Sequence, residues 1–152
     1  MFYRSYELFN EVTHYLDASS VYGSTTSSLE FLREGLHGAL EGQNVNEAYM
    51  LPDDEAEFCE ADKKANESKP FVAGDVRVNE NPGLAAMHTL WAREHNRLAF
   101  KIKAMARHKN DESIMYEARR YVIAQMQSVV YNEFLPAVLP NSVIQRYNIR
   151  LI

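Results

Sequence analysis

The chain has 152 residues, 46% of them hydrophobic and 24% charged, with a formal net charge of −5 and a single cysteine. That is the composition of one globular domain with a real core, not of a disordered chain. An acidic balance argues against a nucleic-acid partner, no run of roughly 18 apolar residues offers a membrane span, and Cys59 alone closes no internal disulfide.

The first residues, MFYRSYELFN, lack the apolar core of a signal peptide. Residues 11–24, EVTHYLDASSVYGS, alternate and carry Val, Thr and Tyr, which predicts an extended segment ending in a turn at Gly23-Ser24. Thr26-Ser27-Ser28 then offers hydroxyl caps to a short helix over LEFLRE. Residues 35–70 are rich in Gly, Asn, Asp, Glu and Lys and predict a long irregular segment, of the kind that is functional or wraps a larger body. Asn66-Glu67-Ser68 within it is a glycosylation sequon, which matters only in the secretory pathway.

The pattern changes at Pro82, a residue favoured at the first helical position. Leu84, His88, Trp91, His95, Leu98, Ile102 and Met105 then fall at alternating spacings of four and three, predicting one helix stripe to about residue 108. Asn110 and Asp111 suit the start of a second helix, whose stripe of Ile114, Ala118, Tyr121, Val122, Gln125 and Val129 runs to about Phe134. Pro136 and Pro140 are expected to end it, and Asn141 to cap a short helix, SVIQRYN. Two long helices and a loop-rich front half leave apolar stripes needing partners. The chain is therefore expected to be a piece of a larger fold or part of an oligomer.

Three constellations can carry chemistry. Arg77 and Glu80, in GDVRVNENPG, stand just ahead of a helix N-terminus, where negative charge is favoured. They read as a surface salt bridge or as a site where a fixed cation steadies an oxygen gaining charge. Thr13, Tyr15, Asp17 and Ser19 share one side of an extended chain and present hard oxygens suited to calcium, or simply a polar strand face. His88 and His95 lie seven apart on one stripe without His-Glu-x-x-His or Glu-x-x-His spacing, and read as hydrogen-bonded core histidines. Trp91 and the helix methionines are expected in the core with them.

AGDVRVNENPGLAAMHTLWAREHNRLA (73–99) resembles the signature region of the animal haem peroxidases, the superfamily of peroxidasin, peroxinectin and myeloperoxidase. LDASSVYGS (16–24) and YEARRYVIAQMQSVVYNEFLP (116–136) match the same family in order and spacing, and NENPGL with LWAREHNR is similar to its secreted peroxidasin/peroxinectin branch. The resemblance implies a mainly α-helical fold, of which residues 1–152 are a partial domain: a central segment of two long helices and a loop-rich front half. It implies that Arg77 is the distal-side arginine that polarises bound peroxide. Glu80 is implied to form an ester to a haem methyl, and Thr13, Tyr15 (through its backbone oxygen), Asp17 and Ser19 to form a calcium loop. Asn81 stands where some members carry a methionine linked to haem, so that bond is not implied.

The implied cofactors are haem b, covalently attached in many members, and calcium. The implied partners are hydrogen peroxide and a small electron donor, without nucleic acid or a membrane span. The implied setting is extracellular, as a glycoprotein answering oxidative stress. In the family's pattern the distal histidine precedes the calcium loop and the iron-ligating histidine follows the last helices. None of the five histidines here stands at either position. The chain alone is thus expected not to be an efficient peroxidase. The alternative is a non-catalytic, peroxidase-like helical module with a structural or interaction role. Cys59 resembles the first of a local disulfide pair whose expected partner position, just before Phe71, holds Pro70, which implies a free thiol or another partner.

Overall fold

A computed structural model describes residue 10 and residues 12–53 and 70–150. The expectations for Cys59 and for the sequon at Asn66 lie outside those residues. In chain order come helices α1 (Ser19–Tyr22) and α2 (Thr26–Phe31), strands β1 (Gln43–Val45) and β2 (Ala48–Met50), and a 3₁₀ turn (Val76–Asn79). Helices α3 (Pro82–Met105) and α4 (Asp111–Val129), a π turn (Val130–Phe134), α5 (Leu135–Val138) and α6 (Asn141–Arg146) follow. The fold is mainly α-helical, as expected. Among the described residues no helix is long and apolar enough to cross a membrane.

The two long helices begin where their caps dictate. Asn81 Oδ1 accepts from Leu84 N at 2.9 Å with Pro82 at the first position, and Asn110 Oδ1 accepts from Ser113 N at 2.9 Å with Asp111 and Glu112 in the first turn. Their contact is built on small residues. Ala99 and Ala118 are fully buried between Ile102 and Ile114, so the two backbones approach closely. That choice rotates the buried faces away from the simple leucine-and-aromatic stripe. Ala92, Asn96 and Ala99 join His88, His95 and Ile102 inside α3, while Met87 and Met105 are exposed. On α4, Met115 is buried and Tyr121 and Val129 are exposed. The main core adds Val21, Tyr22, Leu29, Leu32, Leu40, Leu51 and Val78 from the front half.

Four expectations are corrected. The expected extended segment over 11–24 is not a strand in its described part, 12–24: bends lead into α1, whose cap Ala18 sits at φ 58°. The segment 35–70 is not wholly irregular: β1 and β2 pair antiparallel in the register Gln43↔Met50, Asn44↔Tyr49, Val45↔Ala48. Asn46 and Glu47 at φ 50° and 66° supply the left-handed two-residue turn. The second helix does not stop at Pro136. The π turn shifts the bonding to Leu135 N→Val130 O, and the helical path continues to Val138 despite the missing proline N–H. Asn141 is the first residue of α6, with no side-chain cap bond at its start.

His95 and Asn96 secure the buried loop 38–40 against α3. His95 Nε2 lies 2.9 Å from Gly38 O, and Asn96 takes Leu40 N on Oδ1 at 2.7 Å and gives Nδ2 to Leu40 O at 3.0 Å. Gly38 N donates to Asp111 Oδ1, while Ala39 N and O bond Leu36 O and Glu34 N. Every backbone polar group of this buried loop is thereby satisfied, where each orphan would cost about 1–3 kcal/mol. Gly38 is required there: its φ is 69°, and a Cβ would stand 2.6 Å from Met115 N.

The core reading of His88 and His95 therefore holds. Burial pushes the His95 imidazole down to about 4, against the Gly38 backbone hydrogen bond, which raises it. Between pH ~6.5 and about 4 the unfolded chain then binds a proton that the folded chain refuses. Stability should fall by roughly 3 kcal/mol as pH drops through that window. Urea unfolding at several pH values should show this slope, flattened in His95→Gln.

Candidate functional site

Arg77 and Glu80 lie on and just after the 3₁₀ turn that leads into α3. Asp75 caps that turn: its Oδ1 accepts from Arg77 N at 2.9 Å. The same carboxylate receives the arginine side chain as a fork, Nε to Oδ1 at 3.0 Å and Nη2 to Oδ2 at 2.7 Å. A planar guanidinium matches a carboxylate in this bidentate way. The hydrogen bonds from Arg77 hold the Asp75 carboxyl below its usual range, against burial, which raises it. The arginine's partner is thus Asp75, two residues back, and not Glu80 as the simple salt-bridge reading had it. Glu80 is exposed, takes no side-chain hydrogen bond or ion pair among the described residues, and adds to the field that keeps Arg77 charged. Arg77 keeps 63% of its side chain exposed despite the fork. A cation and a free carboxylate are therefore presented together at a helix entrance.

Gly74 fixes where this turn sits. A Cβ there would stand 2.4 Å from Gly23 N and 2.5 Å from Ser19 O, both backbone atoms of the α1 turn. Only glycine allows the two backbones to meet. From the other side, Asn79 brackets Phe71, accepting from its N at 2.9 Å and donating to its O at 2.8 Å. Val78, between Arg77 and Asn79, is buried in the main core.

The hydroxyl loop lies at the start of α1. Thr13 Oγ1 is 2.8 Å from Asp17 Oδ1 and 3.0 Å from Ser19 Oγ, and Ser19 N donates to Asp17 Oδ1 at 3.0 Å. Burial raises the Asp17 carboxyl, but the hydrogen bonds from Thr13 and Ser19 outweigh it and hold the group below its usual range. Thr13, Asp17 and Ser19 are gathered by bends rather than by the alternation of an extended strand. The Tyr15 side chain is outside the cluster, exposed and tilted at 37° against the His14 ring, 4.0 Å between ring centroids. Among the described residues no three His, Cys, Asp or Glu side chains form a metal-binding group. The candidate donors are one carboxylate and two hydroxyls, hard oxygens that suit calcium in kind but are too few to complete its shell alone.

His88 joins the two halves. It is buried on α3, its Nδ1 has no hydrogen-bond partner among the described residues, and it faces Ser20 of α1 and Asp75 of the turn. Burial pushes its imidazole down, while the hydrogen bond to the Ser20 backbone and the charge of Asp75 push it up. Sequence reasoning placed His88 in the core and gave Asp75 no role. The signal for Asp75 was present in Asp-Val-Arg, a cap residue two positions before a cation.

The family model described as "Animal haem peroxidase" matches residues 3–152. "Peroxidasin" of Drosophila melanogaster is 38% identical over 146 residues, covering 90% of this chain and 9% of that protein. "Chorion peroxidase" of Aedes aegypti is 41% identical over 140 residues, covering 89% of this chain and 17% of its own length. Among solved structures, "Peroxidase A from Dictyostelium discoideum" superposes with a TM-score of 0.70 at 32% identity, over 80% of this chain and 24% of that one. The chain thus spans less than a fifth of the length of these two curated relatives.

The fork yields a direct expectation. In Asp75→Asn the Arg77 guanidinium loses its charged partner, so its Nε–H signal in nitrogen-15 NMR should lose protection from solvent exchange, with the helical circular dichroism unchanged. An unaltered Nε–H signal would mean that Asp75 does not hold the arginine.

Proposed function

The chain belongs to the animal haem peroxidase family, and from that premise we propose that it supplies the arginine side of a haem pocket, one haem attachment point and part of a calcium loop. Haem, when bound, supplies the redox chemistry by which hydrogen peroxide is reduced and a small donor oxidised. The observation that carries this reading is the pairing on one turn of an exposed, always-charged guanidinium with a carboxylate that no described protein group occupies. That donor set fits the group. Arg77 would stabilise negative charge on a leaving oxygen, and Glu80 would hold the porphyrin through an ester. Asp75 would keep the guanidinium oriented before substrate arrives, which lowers the reorganisation the reaction requires.

The cluster of Thr13, Asp17 and Ser19 would give oxygens to calcium, with the Tyr15 backbone carbonyl as a fourth. Because Gly74 seats the arginine turn on α1, filling that loop would also stiffen the turn. His88 and His95, both buried in the core, are assigned neither the axial-ligand nor the acid–base role. The exposed Met87, Leu90, Phe100 and Met105 along α3 support a place within a larger body. Turnover of peroxide by residues 1–152 alone is therefore expected to be poor. The family resemblance supports an extracellular setting.

Two measurements test the reading. After incubation with haem and peroxide, peptide mass mapping should find a haem adduct on the peptide carrying Glu80, absent in Glu80→Gln; an adduct unaffected by that substitution would overturn the attachment. Calorimetric titration with calcium should give binding heat that Asp17→Ala removes, and equal heats for both chains would overturn the calcium assignment.

A further inference from the structure

Tyr22 and His95 form a buried pair that the reading above leaves unused. Both side chains are fully buried. The Tyr22 hydroxyl lies 2.8 Å from His95 Nδ1, and the rings meet edge-on at 5.4 Å. Because a carbonyl can only accept, the 2.9 Å contact of His95 Nε2 with Gly38 O places the ring proton on Nε2. His95 Nδ1 is then a lone-pair acceptor, and the Tyr22 O–H donates to it. Among the described residues no other tyrosine hydroxyl bonds a histidine; the Tyr49 hydroxyl, for comparison, donates to Glu41 O at 2.6 Å.

We propose that Tyr22 and His95 are a proton-coupled electron-donor site. Loss of one electron from the Tyr22 ring breaks its O–H bond, and the proton moves along the existing hydrogen bond to His95 Nδ1. The products are a neutral tyrosyl radical and an imidazolium that donates through Nδ1 to the phenoxyl oxygen and through Nε2 to Gly38 O. The electron reduces a one-electron oxidant, which a bound haem would supply during turnover and a photogenerated ruthenium(III) polypyridyl complex supplies in the test. Return of one electron and the same proton restores the pair. Use during peroxide turnover rests on the haem reading; the proton route rests only on the geometry of the pair.

The surroundings favour this route over its alternatives. The Arg119 guanidinium stands 5.1 Å from the Tyr22 ring centroid, so a positive charge opposes a lasting ring cation and the proton must leave with the electron. An oxidised phenol is a far stronger acid than an imidazolium, so transfer runs downhill even to an imidazole whose basicity burial has lowered. Burial also raises the Tyr22 phenol, which keeps phenolate from being the starting species. Enclosure separates the radical from other tyrosyls, with which an exposed one would couple. The pair is also near the candidate site in the fold, since Tyr22 ends α1 and the next residue, Gly23, meets the Gly74 backbone.

The test uses the full 152-residue chain without haem. Flash-quench oxidation by a ruthenium polypyridyl complex, followed by electron paramagnetic resonance and transient absorption, should reveal a slowly decaying, hydrogen-bonded tyrosyl radical. Its formation should slow in D₂O. The slow component should be lost in Tyr22→Phe and kept in Tyr116→Phe, which alters an exposed ring. Survival of the slow component in Tyr22→Phe would overturn the proposal. So would a wild-type chain that yields only short-lived radicals, or formation insensitive to D₂O, both read without any variant. Since haem is absent, either result leaves the Glu80 attachment to be decided by its own experiment.

Discussion

The seat of Gly74 against the α1 turn is the constraint on which the candidate site depends. Two backbones meet there at a distance that leaves no room for a side chain. One segment carries Asp75, Arg77 and Glu80; the other carries the oxygen cluster of Thr13, Asp17 and Ser19. Without that contact they are two unrelated polar loops. With it they share one support, and His88 from α3 closes the junction from the third side. The exposed cation is in this sense built from beneath: the fork to Asp75 orients it, buried Val78 anchors the turn, and Asn79 ties the turn to Phe71.

Rigidity further back comes from polar groups spent on backbone. His95, Asn96 and Asp111 put their hydrogen-bonding capacity into the buried loop 38–40, which crosses the α3–α4 pair. The apolar part of that pair is thin, because alanines set the spacing. A small apolar contact combined with a fully satisfied polar clamp fixes position better than an equal area of leucine would, since each hydrogen bond has one geometry. This explains why α3 carries His and Asn on its buried face.

The parts legible in the sequence were those governed by local rules. Pro82 and Asn110-Asp111 marked two helix starts because such signals are a matter of a few adjacent residues. The mainly helical class followed from those helices and from the resemblance. What escaped was decided by contacts distant in the chain or by unusual backbone. The hairpin strands are three residues each, too short to show alternation, and their turn is Asn-Glu rather than Asn-Gly. Pro136 misled because a π turn absorbs its missing donor. Met105 and Tyr121 misled because alanine packing, not side-chain bulk, sets the buried face. At the candidate site, the spacing of Arg77 and Glu80 suggested the wrong ion pair: a 3₁₀ turn capped by Asp75 brings the residue at minus two, not plus three, onto the guanidinium.

Through position 74, α1 and the arginine turn behave as a single unit. Native-state hydrogen exchange on Gly74→Ala, read residue by residue, measures this directly. The amides of Tyr22 and Gly23 in α1 and of Arg77, Val78 and Glu80 in the turn are each hydrogen-bonded within their own segment. If the unit is real, forcing the backbones apart should speed exchange in both sets together, while amides in the middle of α4 keep their protection. Faster exchange in one set alone, or in neither, would contradict it.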